Sequence, residues 1–384
     1  MARAQPGGRP LPRLRRYRDE ERRYGGQDGV DRLDPWDTGR TGPLAATDAD
    51  ARPGADAEER DLSVTVRWTE PPAWLGRRLT GRTLDLLDMA GDGPTRTALA
   101  ARHGREPREV LVTAGGTEPF ETIAREFRPK HAVVVHPQAA PAEAALRAHG
   151  HAVERLVLRP PFTLDPAQVP AHADLVVLTN PTNPTSVVHP WETVDALVRP
   201  GRVVVVDETF AECVPGEPQS VAGRPGNGVV VIRGLPPAWD LARLRAGYLL
   251  AAPKLAARLG QWQSPWPVSR TSLAALALSA TADVLAQSGE WAHDLGERRA
   301  ALVEAIAIVP GVEVSPDPAA SFVLVHRPGG SALRLSLRQH GFLLRRGDDY
   351  PGLGPDWFRV AVPSPPASEA FAAALRTAIT DPAR

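Results

Sequence analysis

Six short, mostly apolar runs rich in β-branched residues recur along the middle of the chain, and each is followed by a stretch that reads as helix or loop. They are residues 110–113 (VLVT), 132–136 (AVVVH), 152–158 (AVERLVL), 175–178 (LVVL), 203–206 (VVVV) and 228–232 (GVVVI). Most lack polar/apolar alternation, so they read as strands buried on both faces. Strands that alternate with helical segments form a largely parallel sheet with helices over both faces. In such a sheet ligands bind outside the carboxyl ends of the strands. The residues just after each run are therefore the candidates for chemistry.

The flanking segments differ. Residues 1–47 are rich in Arg, Asp, Gly and Pro and carry no sustained apolar period, so they read as a disordered or loosely docked arm. Its basic run at 13–16 (RLRR) reads as a solvated surface. Structure is expected from residue 61 (DLSVTVRW), with one helix from Pro72 and another from Thr95 to His103, stopped by Gly104. From Lys254 a long helical region is expected to about residue 307, then strands at 321–326 and 358–362 separated by a helix. The domain expectation is thus an arm at 1–47, an N-terminal part of a small domain at 48–94, a large α/β domain at 95–253 and a small α+β domain at 254–384.

A formal net charge of 0 gives no reason to expect nucleic acid or an anionic membrane as partner. Cys213 is the only cysteine, which excludes an intrachain disulfide and a cysteine-based zinc cluster; it reads as a buried, inert thiol, and no metal site is expected. No apolar run reaches about 18 residues, and none follows the N-terminal arginines, so neither a membrane span nor a signal peptide is expected and the location reads as cytoplasmic. Of 45 basic residues only Lys130 and Lys254 are lysine; with 40 prolines this suggests a GC-rich coding sequence, as in actinobacteria.

Several groups stand where a site belongs. Gly115, Gly116 and Thr117 join a strand to a helix, where backbone N–H groups can cradle phosphate. NPTNPT at 180–185 follows a strand, and VVVVDE at 203–208 ends one in Asp207 and Glu208. RGLPPAWDLARLRAGY at 233–248 contains Arg233, Trp239 and Arg245. Taken together and in this order, these motifs resemble fold-type-I pyridoxal-phosphate (PLP) aminotransferases over residues 48–380, nearest the threonine-phosphate decarboxylase and histidinol-phosphate aminotransferase group and its actinobacterial cobalamin-pathway homologues. The resemblance implies a large domain with a mostly parallel seven-stranded sheet, a small α+β domain and a homodimer with the cleft at the subunit interface. It also implies that Asn183 contacts the ring hydroxyl, Asp207 the pyridine nitrogen, and Arg245 with Gly115, Gly116 and Thr117 the phosphate. Arg359 would hold a substrate carboxylate.

The resemblance breaks at the segment 234–239 (GLPPAW). Pro237 falls on the lysine that holds the cofactor as a Schiff base and moves its proton, while Gly234 and Pro236 fall on hydroxyl residues. Ala139 falls near an aromatic that stacks on the ring, and the segment from Met89 falls on a tyrosine that reaches the neighbouring subunit's phosphate. Residues 345–359 (RRGDDYPGLGPDWFR) still read as a substrate-domain segment. The leading expectation is a PLP-independent enzyme acting on a small carboxylate- or phosphate-bearing metabolite in specialised biosynthesis. Asp207, Glu208 and Tyr350 would be its acid–base groups, with His136 weaker and more readily structural. Asn183, Arg233, Trp239, Arg245 and Arg359 would bind substrate. Two alternatives stand beside it: a non-catalytic partner subunit or ligand sensor, and an enzyme holding PLP noncovalently.

Overall fold

The structure, a computed structural model, describes residues 60–65, 72–85, 91–224 and 226–380. The chain divides into Met1–Leu44 and Ala45–Arg384, and every described residue belongs to the second unit. The expected arm with its basic run, and Met89, lie outside the described residues.

Valine-rich segments build the main sheet from β1 (Val110–Thr113), β2 (Ala132–His136), β3 (Val153–Val157), β4 (Leu175–Thr179), β5 (Val203–Asp207), β6 (Val229–Gly234) and β7 (Gly247–Ala251). Their order is β1-β7-β6-β5-β4-β2-β3. The pairs from β6 to β3 are parallel. β7 runs against both of its neighbours, β1 and β6.

Alternate residues of each strand face opposite layers. Val176, Leu178, Val204 and Val206 pack toward α2 (Gly93–Arg102), α5 (Trp191–Leu197) and α7 (Arg270–Ser279). Val177, Val205 and Ile232 pack toward α3 (Glu118–Phe127), α4 (Pro141–Ala148) and α6 (Pro253–Gly260). Each buried valine or isoleucine is worth roughly 1.5–3 kcal/mol. The register Thr179↔Asp207↔Ile232 is therefore firmly set, because a slip of one residue would exchange the two faces of β5.

A second, antiparallel sheet has the order β10-β11-β9-β8, from β8 (Glu313–Val314), β9 (Phe322–His326), β10 (Arg345–Arg346) and β11 (Trp357–Ala361). Its core gathers Leu295, Leu302 and Ile306 of α8 (Ala282–Ala307), Leu333 and Leu337 of α9 (Gly330–Gln339), and Phe371 and Leu375 of α10 (Pro365–Thr380). Leu62 joins this core, beside a bridge between Asp61 and Leu343.

The long helical region expected from Lys254 is three helices; Pro265 and Pro267, each lacking a backbone donor, lie in the first break, and Ala280 and Thr281 form the second. The expected domain boundary at 254 also shifts. Leu255 and Leu259 of α6 and Leu273 and Leu276 of α7 pack on the seven-stranded sheet, and only within α8 do the side chains pass to the second core. On the N-terminal side, α1 (Leu75–Asp85) sends Leu75 into a cluster with Ala275, Leu278 and Trp239 rather than into the small sheet.

Candidate active site

The carboxyl end of β1 leads through a tight turn into α3. The Gly115 N–H donates to the Thr113 carbonyl at 2.9 Å, and Thr113 Oγ1 donates to the Gly115 carbonyl at 2.9 Å. Gly115 has φ +81°, and a Cβ there would lie 2.6 Å from Arg245 Nη2. A Cβ on Gly116 would lie 2.8 Å from Thr209 Cγ2. Both positions thus need glycine. Arg245, itself at φ 51°, lays its guanidinium over this turn, with Nη2 3.4 Å from Thr117 Oγ1 and 3.5 Å from the Ala114 carbonyl. No carboxylate among the described residues forms an ion pair with Arg245. A helix N-terminus, a glycine turn and a guanidinium with no carboxylate partner make a cup that can take an anion, although the Ala114 N–H already donates to Glu118 Oε2 at 3.1 Å.

Asp207 ends β5 beside this cup. Its Oδ1 accepts the Thr209 N–H at 3.0 Å, and the Thr209 methyl group is the atom against Gly116. Burial pushes the Asp207 carboxyl up to about 6, with hydrogen bonds from Thr209 pulling it the other way. Thr209 was not anticipated from sequence. Its signal was available: a residue two past a strand-terminal Asp closes an Asx turn.

Glu208, one residue on, points to the opposite layer. It accepts from Ser220 Oγ at 2.5 Å and Val221 N at 2.7 Å, and pairs with Arg233 at 3.1 Å. Arg233 is 1% exposed and is held as well by Glu217 at 2.6 Å and Glu212 at 3.5 Å, and Glu212 meets Arg102 at 2.7 Å. Glu208 and Arg233, expected as acid–base and substrate groups, are instead parts of a buried ionic network, because strand alternation turns them away from Asp207. Trp239 is corrected likewise: at 2% exposure it packs with Leu75, Leu278 and Val284 and meets Trp74 edge-on at 6.0 Å. Pro237 opens the short 3-10 turn Pro237–Trp239 that sends this tryptophan inward.

His136 is buried, with Nε2 2.8 Å from Glu143, and burial lowers its pKa. Arg155 and Arg147 bind the same carboxylate and hold it down to about 2 against desolvation, so this group is a structural ionic knot. Burial pushes the Cys213 thiol up to about 12, which agrees with an inert thiol.

Across the cleft, Arg359 on β11 is 4% exposed. Its Nη1 donates to Asn183 Oδ1 at 2.7 Å and to Tyr350 Oη at 3.2 Å, and its Nη2 donates to the Ser63 and Val64 carbonyls at 2.5 and 3.3 Å. Among the described residues its Nε has no hydrogen-bond partner. No carboxylate among the described residues pairs with it, since Asp349 is bound to Arg345 at 3.0 Å. Burial pulls the Arg359 pKa down. Tyr350, also expected as an acid–base group, donates to Asn183 Oδ1 at 3.3 Å; it braces the arginine and the asparagine. Asn183, Tyr350 and Arg359 thus meet, with segments next to the two sheets each contributing.

Both lysines of the chain lie at the opposite edge of the sheet. Lys130 precedes β2, and its N–H donates to Asp174, the residue before β4, at 2.9 Å. Lys254 sits in the first turn of α6, just after β7, whose Ala251 pairs with Val230 near the start of β6. A five-residue strand at about 3.3 Å per residue sets the two edges roughly 15 Å apart. Among the described residues no cluster of His, Cys, Asp and Glu could hold a metal ion, and no helix is long and apolar enough to cross a membrane.

A mostly parallel seven-stranded sheet covered on both faces, an anion cup and an acid at its carboxyl edge, and a small sheet that adds an arginine define the class: the fold-type-I architecture of PLP-dependent transferases. The chain belongs to the aminotransferase class I and II family, which it matches over residues 68–375. It is 41% identical over 329 residues to a histidinol-phosphate aminotransferase of Mycobacterium tuberculosis, covering 84% of this chain and 88% of that one. It is 30% identical to the threonine-phosphate decarboxylase of Salmonella typhimurium, covering 83% and 91%. The crystal structure of L-threonine-O-3-phosphate decarboxylase from Porphyromonas gingivalis superposes with a TM-score of 0.73 at 24% identity, over 83% of this chain and 99% of that one.

Proposed function

We propose that this chain is an aminotransferase-fold enzyme that works without PLP, acting on a small carboxylate- or phosphate-bearing metabolite in a specialised biosynthetic pathway. One observation carries the reading: Lys130 and Lys254, the only lysines, stand about 15 Å from the cleft across the sheet, while Pro236 and Pro237 occupy the turn after β6. The residues present suit part of the cofactor. The cup under Arg245 suits a phosphate and Asp207 suits a protonated ring nitrogen, yet no amine is in place for attachment.

What the chain's own residues can do is bind and orient. Arg245 and the start of α3 attract an anion. Arg359, buried with no ion-pair partner among the described residues, favours a carboxylate. Asp207, pushed up to about 6, exchanges a proton near neutral pH and is the acid–base group that faces the cleft. The curated names of relatives point to phosphate-bearing substrates, histidinol phosphate and threonine phosphate. A small-molecule substrate and a homodimer belong to the same proposal.

The test is PLP titration followed by borohydride reduction and intact-mass measurement. We expect no pyridoxyl adduct at any concentration, and binding of inorganic phosphate that Arg245→Ala abolishes. A stoichiometric adduct on either lysine would overturn the reading. A second reading, noncovalent retention of PLP, is favoured by the intact cup and Asp207. It predicts stoichiometric, dialysable binding with no adduct after reduction.

A further inference from the structure

A second hollow lies among the helices that cover one face of the large sheet. The last turn and cap of α3, the end of α4 and the segment just past α6 enclose a groove of about 470 Å³, lined by Ala124, Arg125, Arg128, His149, His151 and Trp262. That volume is in the range of small-molecule sites, roughly 300–1,000 Å³. The helix α3 starts at the cup and ends at this groove, so the two sit at opposite ends of one element.

The lining is basic and aromatic. Among the described residues neither Arg125 nor Arg128 forms an ion pair. The acids nearby are already engaged. Glu121 lies 2.8 Å from His149 Nε2, and Glu126 is held by Arg258 at 2.6 Å and by the Trp262 Nε1–H at 2.8 Å. With its N–H taken, Trp262 offers the groove its ring, and it is 41% exposed. The carbonyl ends of α3 and α4 carry about half a negative charge each, which accounts for basic residues at both C-termini. It accounts neither for an open tryptophan beside them nor for the hollow. Two guanidiniums exceed those partial charges and leave a positive potential that suits a dianion.

The residue after Trp262 ties the groove to the cup. Gln263 donates from Nε2 to the Val112 carbonyl at 2.9 Å and to the two Glu118 carboxylate oxygens at 3.1 and 3.2 Å. Glu118 Oε2 in turn accepts the Ala114 N–H at 3.1 Å, and the Ala114 carbonyl lies 3.5 Å from Arg245 Nη2. A ring stacked on Trp262 acts on Gln263 through the chain. An anion drawn to Arg125 and Arg128 acts on α3. Both routes meet at Glu118, the first residue of that helix.

We infer that this groove is a regulatory site for a small aromatic phosphate, with the ring on Trp262 and the phosphate on Arg125 and Arg128, and that filling it stiffens the turn between β1 and α3. The inference uses the cup but not the absence of PLP.

Adenosine 5′-monophosphate is the probe, titrated calorimetrically into the full chain. We expect it to bind, with adenosine and ribose 5-phosphate each about tenfold weaker or more. Arg125→Ala with Arg128→Ala, and separately Trp262→Leu, should each cost about tenfold, while Arg245→Ala changes nothing. Arg125, Arg128 and Trp262 are exposed, so these variants keep the fold. Hydrogen exchange reads the link to the cup: the probe should slow exchange of the backbone N–H groups at 114–117 in the natural chain. In Gln263→Ala it should still bind and no longer slow that exchange. Absence of binding overturns the inference, as does binding that survives the groove variants and is lost in Arg245→Ala, which would put the probe in the cup. Binding in the groove that leaves exchange at 114–117 unchanged overturns it too. A pyridoxyl adduct in the PLP titration would sink the proposed function and leave this site standing.

Discussion

Asp207 and Glu208 are adjacent acids with opposite fates. Asp207 faces the cleft with Thr209 as its hydrogen-bond donor among the described residues, and burial raises it to about 6 from 3.8. Glu208 faces the other layer and is consumed by Arg233, Ser220 and Val221. Because its folded pKa is raised, Asp207 binds more protons folded than unfolded between pH 3.8 and 6; its ionisation opposes folding above that window and not below it. Asp207→Asn should therefore raise the melting temperature at neutral pH, and the gain should vanish below pH 3.8. Melting curves across that range check it, and a gain independent of pH would show that the carboxylate is not desolvated. Glu208→Ala should instead destabilise by about 3–5 kcal/mol in denaturant titration, because it leaves Arg233 short of a partner in the interior. The sequence placed both acids at a strand end but could not say which one faced the ligand. Facing depends on the parity of the strand and on Arg233 and Glu217, which come from later in the chain.

The strand–turn–helix unit from β1 to α3 is the element on which anion binding rests. Its glycines are fixed by what leans on them, Arg245 at one and the Thr209 methyl at the other. Gly116→Ala should weaken phosphate binding, since the new methyl would meet Thr209 Cγ2 at 2.8 Å. Adding Thr209→Ser removes that methyl group, keeps the hydroxyl and should restore most of the affinity; phosphate titration of the single and double variants checks both. At this scale the sequence was most legible. The buried valine runs gave the strands to within a residue or two, because full burial leaves little else that four or five such residues can be. The helices after Lys254 were less legible: their apolar residues recur smoothly, and the division between two cores is a matter of tertiary packing. Trp239 misled for the same reason, since a tryptophan near a suspected site reads as a ligand wall until the helices that cover it, α1 and α7, are in place.

For the molecule as a whole, histidines set the response to acid. Burial, aided by Arg233, Arg102 and Arg105, lowers His103 to about 2, and burial lowers His189 to about 4. Both are neutral when folded and protonate near 6.5 when unfolded, so their contribution is present above 6.5 and is lost as pH falls below it. Asp207 works in the opposite direction below 6. The net expectation is a loss of about 2 kcal/mol between pH 7 and pH 5 in chemical denaturation. His103→Gln should reduce that loss, if its contact with the Tyr248 hydroxyl at 2.8 Å is kept.

The guanidinium of Arg359, buried with an unpartnered Nε and no ion pair among the described residues, makes the folded state less favourable than it would be with that charge answered. Any small molecule that supplies the missing negative charge binds the folded chain and not the unfolded one, and at a hundred times its dissociation constant raises stability by about 2.7 kcal/mol. The melting temperature thereby becomes a readout for any acid that binds there. Pooled cell extracts or acid libraries can be ranked by how far they delay its melting, with no turnover assay and no prior guess at the reaction.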